Sequence, residues 1–454
     1  MNMTLHSMNT QTEGSSKKRS TPALLAIGWL ICTLVFCGLM IGAYSFPDAW
    51  VNDHVRASGE RLVEEGVRPR FDPDLVKTQR DNYTEGYVLS MASHQGGHPL
   101  RSAFLNPYYD NEDALAGDPK GRITSVADGI GKPANQSYGR YWQGHLILER
   151  PLLIFMDLHG IYILMAVILG LLTLWAGAGL FRRLGWFGPV ILLISLLLVD
   201  PEMIPSSTKF WYSFAIAVAC VGWISWFSSR YPFDSRRTSM FFFFVGAVTV
   251  FLDFMSTPII TFMMSFAGLV LIHRGSIADL PMKKSLLIGG RHFLFWIAGW
   301  ILLGLTNWLL FTAFAAGDHL NGLEILRDRM DNWTGGGGMA YRQISRFAGI
   351  GNVITTFGLP ISPAMVLGAA GILSFLPGIF APSRYRACGI LLTLICAIPV
   401  LWCLILSASF YDHAWTVYRM CAGLFFTWLA GAYLLLPPLR RRGPSPRSLH
   451  QERV

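Results

Sequence analysis

Ala23-Leu24-Leu25-Ala26-Ile27-Gly28-Trp29-Leu30-Ile31-Cys32-Thr33-Leu34-Val35-Phe36-Cys37-Gly38-Leu39-Met40-Ile41-Gly42-Ala43-Tyr44 is an unbroken run without a charged residue. It is long enough for an α-helix to cross the hydrocarbon of a bilayer, which takes about 20 residues. A Ser/Thr/Lys-rich tail with Lys17, Lys18 and Arg19 precedes it, and no small-residue cleavage site lies before Phe46-Pro47. The run therefore reads as a retained signal anchor rather than a removed leader. Further apolar blocks follow at roughly 152–181, 187–199, 210–228, 239–255, 257–273, 292–316, 360–381, 387–409 and 415–437. The pair either side of Pro258 reads as two helices or as one broken element. The expected fold is an all-α integral membrane protein of about ten transmembrane helices.

Composition agrees. Of 454 residues, 52% are apolar and only 14% are charged, with a mean hydropathy of +0.41. A soluble protein carries about a quarter charged residues, so an ordinary cytosolic enzyme is excluded. The net charge of +9 sits in short basic clusters between apolar blocks, the pattern of cytoplasmic anchoring rather than nucleic-acid binding. The seven cysteines all lie inside apolar blocks and form no CxxC pair, as small core residues do.

The basic clusters also orient the chain. With the amino terminus inside, the cytoplasmic segments hold Arg182 and Arg183; Arg230, Arg236 and Arg237; Arg274, Lys283, Lys284 and Arg291; Arg384 and Arg386; and Arg440 to Arg442. The turns Asp200 to Thr208 and Phe410 to Ala414 hold no Lys or Arg, as the outer side should. The expected organisation is a cytoplasmic tail (1–21), a first membrane helix (22–45), a large extracytoplasmic loop (46–150), a transmembrane bundle (151–316), a second extracytoplasmic loop (317–359), a second part of the bundle (360–437) and a basic cytoplasmic tail (438–454). Both termini are then cytoplasmic in a multi-pass protein of the cell membrane. The first loop has too few apolar residues for a large core of its own and should pack on the membrane domain. Gly335 to Gly338 reads as a mobile loop, and three N-glycosylation sequons, at Asn82, Asn135 and Asn332, read as chance matches.

Ionisable residues near hydrocarbon are costly and usually face a bundle interior. Those not explained as anchors gather on the outer side: Asp81 and Glu85 in the first loop, Asp157 and His159, Asp200 and Glu202, Asp253, and Asp412 with His413. Any one of these acids at a helix end could simply be solvated, but Asp253 is closely flanked by apolar and aromatic residues. In Tyr411 to Arg419, helical spacing places Asp412, Trp415 and Arg419 on one face. A guanidinium there suits a phosphate of a lipid-linked substrate; the alternatives are a buried pair with Asp253 or Asp412, or snorkelling to headgroups. The stretch Tyr138-Gly139-Arg140-Tyr141-Trp142-Gln143-Gly144-His145 reads equally as an interfacial aromatic belt or as rings that stack on sugar faces, with Arg140, Gln143 and His145 bonding hydroxyls.

A long first outer loop bearing an acid, about ten helices and outer-leaflet charges resemble the GT-C glycosyltransferase superfamily, which uses polyprenyl-phosphate sugars. The segments Asp81 to Glu85, Tyr138 to His145, Phe251 to Pro258 and Asp412 to Arg419 are similar to those of bacterial polytopic proteins associated with surface polysaccharide. An adjacent acidic pair, often found in the GT-C first loop, is absent; Asp81 with Glu85 stands nearest to it. The resemblance implies inverting transfer from a polyprenyl-phosphate-linked sugar to a surface glycan or lipid-linked acceptor. Asp81, with Glu85 nearby, would be the base, Asp253 an orienter or second acid, and Arg419 with His413 the phosphate clamp; Asp412, Arg140, Tyr141, Trp142 and His145 would bind substrate. No cofactor is specified by the residues, and a divalent cation bridging Asp81 and an outer-rim acid fits this chemistry, though no spacing demands one. The rival readings are a transporter or flippase, which should show repeats and broken midplane helices, and a non-catalytic partner in glycan assembly.

Overall fold

A computed structural model describes residues 20–94, 97–253, 256–315, 380–406 and 413–435, with the isolated positions 324, 327 and 356. The described chain is almost entirely helical. Its only sheet pairs β1 (Pro107–Tyr108) with β2 (Gln136–Ser137), antiparallel, with Pro107 opposite Ser137.

Helix α1 (Thr21–Tyr44) carries the quoted run and has Pro22 in its first turn, where a missing N–H costs nothing. The 46–150 region contributes α2 (Asn52–Glu65), α3 (Asn82–Ala92), α4 (Pro99–Leu105), α5 (Pro119–Asp128) and α6 (Leu146–Leu152). α2, α3 and α5 pack on one another, and their buried Val55, Leu62, Val88, Leu89, Ile123 and Val126 are continuous with the main core. The region therefore shares its core with the apolar helices.

Those helices are α7 (Leu158–Leu184), α8 (Phe187–Leu197), α9 (Thr208–Trp226), α10 (Arg236–Leu252), α11 (Ile259–Ile272), α12 (Met282–Ala315), α13 (Arg386–Ile405) and α14 (Cys421–Leu435). Four helical stretches are long and apolar enough to cross a membrane: Thr21–Tyr44, Leu158–Leu184, Met282–Ala315 and Ser383–Ile405. α8 and α11 are shorter apolar helices. α11 is buried on every side and packs against α9, α10, α13 and α14. The outer helices turn apolar side chains outward, with Leu34, Leu174, Leu197 and Leu309 all well exposed. Apolar inside and apolar outside is the pattern of a protein solvated by lipid.

The structure differs from the sequence expectations at several helices. The 152–181 block is preceded by the separate α6, with Asp157 capping α7 by accepting the Gly160 N–H at 2.8 Å. The blocks either side of Pro258 are two helices, interrupted from Asp253 to Pro258. α12 begins ten residues before the expected position 292, so Lys283, Lys284 and Arg291 ride on the helix. The final block is not one helix: Ala414–Val417 is followed by a 3₁₀ turn, Tyr418–Met420, before α14. The expected single face from Asp412 to Arg419 is thereby interrupted, and Asp412 itself lies outside the described residues, as do most of the 317–381 segment and the Gly335–Gly338 run.

α10 and α12 cross backbone against backbone. A Cβ on Gly246 would stand 2.0 Å from the Trp296 carbonyl oxygen, and one on Gly299 would stand 2.0 Å from that of Phe243. Small residues give apolar helices this close approach. Gly299→Ala should therefore destabilise the protein by about 1–3 kcal/mol, the cost of overpacking. Gly304→Ala, whose Cβ would meet only Val250 Cγ2 at 3.6 Å, should be tolerated. Thermal unfolding in detergent compares the two; equal melting temperatures would refute the close crossing.

Candidate functional site

The site is organised by the first two turns of α9. Ser207 caps that helix, its hydroxyl accepting the Lys209 N–H at 3.2 Å. From there Ser207, Thr208, Lys209, Tyr212 and Ser213 reach four buried acids. Lys209 Nζ donates to Asp81 Oδ2 at 2.9 Å. The Ser207 hydroxyl and the Thr208 N–H donate to Glu85 Oε1, both at 2.9 Å, and the Thr208 hydroxyl donates to Oε2 at 2.8 Å. Tyr212 donates to Glu149 Oε1 at 3.1 Å, and Ser213 to Asp253 Oδ1 at 2.5 Å. Lys209, Tyr212 and Ser213, spaced three and four apart, share one face of the helix.

Asp81, the N-cap of α3, and Glu85 in its first turn lie four residues apart, but their environments drive them in opposite directions. Asp81 caps the helix, accepting the Thr84 N–H at 3.2 Å and its hydroxyl at 2.7 Å. Burial opposes its ionisation, yet the Lys209 charge and hydrogen bond, with Thr84, outweigh that and hold its carboxyl below the usual range. Burial wins at Glu85, opposed by its three donors and reinforced by the Asp81 charge, and pushes its pKa up to about 7. Divergent acids in one site are a mark of acid–base chemistry, although structural networks also produce them.

Beyond Glu85, burial and the Glu85 charge raise Glu149 well above the carboxylate range, while burial lowers His145 to about 3. At the 3.7 Å approach of His145 Nε2 to Glu149 Oε2, burial thus disfavours the charged form of both groups. His413 is pushed down to about 4 by burial and by Lys209, against the pull of Asp81. His413 and Lys209 therefore belong to the surroundings of Asp81, as does Trp415, whose ring lies 5.8 Å from Lys209 Nζ.

Arg419 is fully buried. It donates from Nη1 to the Trp415 carbonyl at 2.9 Å and from Nη2 to the Lys77 carbonyl at 2.7 Å, and lies over the Phe210 and Tyr418 rings. Its fork is thus occupied by backbone, and Asp253 bonds Ser213 instead. Asp81, Asp253 and Arg419 nevertheless all attach to the same stretch of α9, through Lys209, Ser213 and Phe210. The exposed cation at this edge is Arg68, 5.9 Å from the Trp415 ring centre.

The Tyr138–His145 stretch divides. Trp142 is buried, donating to the Leu303 carbonyl at 2.8 Å and packing on Phe36 and Phe251. His145 is also interior. Arg140 and Tyr141 stay half-buried. Among the described residues no group of three or more His, Cys, Asp or Glu side chains is placed to hold a metal ion. Sequence reasoning missed Lys209, Tyr212, Glu149 and Arg150. A lone cation after Ser207-Thr208, at the head of an apolar block, was the available signal for Lys209.

The Glu85 shift has a sign that can be measured. Its folded pKa is raised from 4.5 to about 7, so between those values the folded protein keeps a proton that the unfolded chain has lost. Its contribution is present below pH 4.5 and lost as pH rises to about 7, at up to about 1.4 kcal/mol per pH unit. Asp81 acts oppositely and lower, contributing stability above its unfolded pKa that is lost as acid protonates it. Glu85→Gln should flatten the decline in melting temperature between pH 5 and 7; an unchanged slope would show that Glu85 does not carry it. No known protein family, curated protein or solved structure matches the chain.

Proposed function

We propose that the chain is a multi-pass membrane glycosyltransferase, similar to the GT-C type, that moves a sugar from a polyprenyl-phosphate donor to a surface glycan or lipid-linked acceptor on the outer face of the membrane. The observation that carries this reading is the pair of buried acids at the start of α3, both tied to one end of α9 beside Lys209, with Asp81 held below the usual carboxylate range and Glu85 pushed up to about 7. In this mechanism Asp81 takes the proton of the acceptor hydroxyl as it attacks the anomeric carbon, and polyprenyl phosphate leaves with the bonding pair. A carboxylate must lie within hydrogen-bond reach of that hydroxyl. A donor phosphate that draws Lys209 away from Asp81 raises the carboxylate's basicity when it is needed. Glu85 is a positioning residue: it fixes Ser207 and Thr208, and through them Lys209. Arg68 over Trp415, rather than the backbone-bound Arg419, joins Lys209 in holding the phosphate, while Arg419 fixes the Trp415 and Lys77 backbones.

A proton-coupled transporter is the second reading, favoured by the buried, protonatable Glu149 between Tyr212 and His145, since such interior acids serve proton relays. Purified protein given a polyprenyl-phosphate sugar and a glycan acceptor separates the two. Transfer supports the enzyme; movement of substrate across vesicles without transfer overturns it in favour of the transporter. Orientation is tested alongside. A cysteine at Gly117 should react with an impermeant thiol reagent in intact cells and one at Ser235 should not, and the reverse would move the site to the cytoplasm.

A further inference from the structure

The acid pair occupies one face of α3. Tyr83 and Tyr87 stand two residues either side of Glu85, each rotated by about 200° in one sense or the other, and so face away from it. There they join a second cluster. Tyr83 and Tyr87 pack edge to face with their hydroxyls 3.3 Å apart, and Tyr138 lies 4.9 Å from Tyr87 and 6.0 Å from Tyr141 between ring centres. The β1–β2 pairing fixes this arrangement, and the Tyr138 N–H donates to the Leu105 carbonyl at 3.0 Å. All four rings are half-buried.

Two guanidinium groups lie on these rings, and they differ. Arg122 is buried 3.9 Å from the centre of Tyr87 and is neutralised by Asp110. Arg140 lies 3.8 Å from the centre of Tyr138 and 5.8 Å from that of Tyr141. It has no carboxylate partner among the described residues; its side chain hydrogen-bonds that of Tyr138, and its Nε has no hydrogen-bond partner. A half-buried guanidinium on an aromatic ring with no carboxylate to neutralise it is a receptor for a planar anion. Beside it the partly exposed Tyr141 and Tyr83 rings, whose centres stand off 5.8 Å from Arg140 and 6.0 Å from Arg122 respectively, offer apolar surface.

We propose that Tyr83, Tyr87, Tyr138, Tyr141 and Arg140 form a binding platform for an acidic sugar, its ring stacked on the tyrosines and its carboxylate or phosphate held by Arg140. This deepens the transferase reading, on which its role as an acceptor subsite rests: the glycan recognised is anionic. The binding itself is measured without donor or turnover.

The test uses full-length protein in nanodiscs of phosphatidylcholine, titrated with a glucuronate-terminated disaccharide, its neutral glucose-terminated counterpart and a 6-phosphorylated one, read by saturation-transfer NMR. At least one acidic probe should bind about tenfold or more tighter than the neutral one, and which does so separates carboxylate from phosphate. Arg140→Gln should abolish that preference and leave the neutral probe unchanged. Arg140→Lys, keeping charge without the fork, should fall between, and Tyr141→Ala should weaken all three. Unfolding curves matching wild type establish that these variants are folded. Equal binding of acidic and neutral probes, no saturation by about 10 mM, or an unaltered preference in Arg140→Gln would overturn the platform. So would loss of sugar binding when phosphatidylglycerol is added, which would make a lipid headgroup the occupant. Sugar transfer without acidic preference would remove this proposal alone; acidic binding without transfer would remove the transferase reading alone.

Discussion

Asp81→Asn should lower the rate of sugar transfer by about 10² or more in protein that still inserts and folds. Asn caps helices about as well as Asp, so the Thr84 N–H keeps its acceptor and α3 keeps its start. The variant loses the proton acceptor and the ion pair with Lys209 together, and those losses must be separated. Lys209 is mostly buried, with Asp81 as its ion-pair partner and Trp415 beside it, so an orphaned ammonium could itself distort the site. Asp81→Asn combined with Lys209→Met removes that orphan. Lys209→Met alone loses the cation assigned to the donor phosphate but keeps the carboxylate, so if Asp81 is the base the double variant transfers sugar about 10² or more slower than Lys209→Met alone, although it is folded. Transfer by the double variant as fast as by Lys209→Met alone, or full transfer in Asp81→Asn alone, would show that the carboxylate does not take the proton.

Elements built by local pattern are legible in the sequence. α1 follows an uninterrupted apolar run and α7 one that opens after Asp157 and His159, and the i, i+4 spacing of Asp81 and Glu85 is plain from their positions in the chain. What depends on distant chain is not. Lys209 falls between a polar turn and an apolar block, and only its contact with Asp81, 128 positions away, gives it a role. Trp142 reads as a belt residue or a sugar-stacking ring, both exposed roles, because sequence places it just before a membrane helix; Leu303, 161 positions away, draws it inside. Arg419 reads as a clamp because sequence shows a cation near hydrocarbon but not the backbone carbonyls that fold back to it. The acidic pair is readable as a pair; the opposite shifts of its two carboxyls are not, since they come from burial and from α9.

Arg150 shows the same gap most clearly and carries the largest expected effect on stability. In sequence it is a charge at the edge of an apolar block and reads as the end of a loop. In the structure it is fully buried near the end of α6 and holds three passages of chain at once. Nε donates to the Ala43 carbonyl at 3.0 Å, at the end of α1, and Nη1 to the Ala92 carbonyl at 2.6 Å, at the end of α3. Nη2 donates to the Phe46 carbonyl at 2.7 Å and to Asp48 Oδ1 at 3.1 Å, and the guanidinium carbon lies 5.0 Å from the centre of the Tyr44 ring. Arg150→Met keeps the length and apolar stem but leaves these acceptors without their donors, and unsatisfied buried acceptors are expensive. By the scale of broken buried ion pairs, the loss should be about 3–5 kcal/mol. Arg150→Lys, which can serve only some of the acceptors from a single nitrogen, should fall between. Because the lost bonds join α1 to α3, limited proteolysis of Arg150→Met should open the 46–97 segment before the membrane helices. A melting temperature within about 1 °C of wild type, where even 1 kcal/mol is worth about 2–4 °C in a domain of 150–250 residues, would show that α1 and α3 are held together by something other than Arg150.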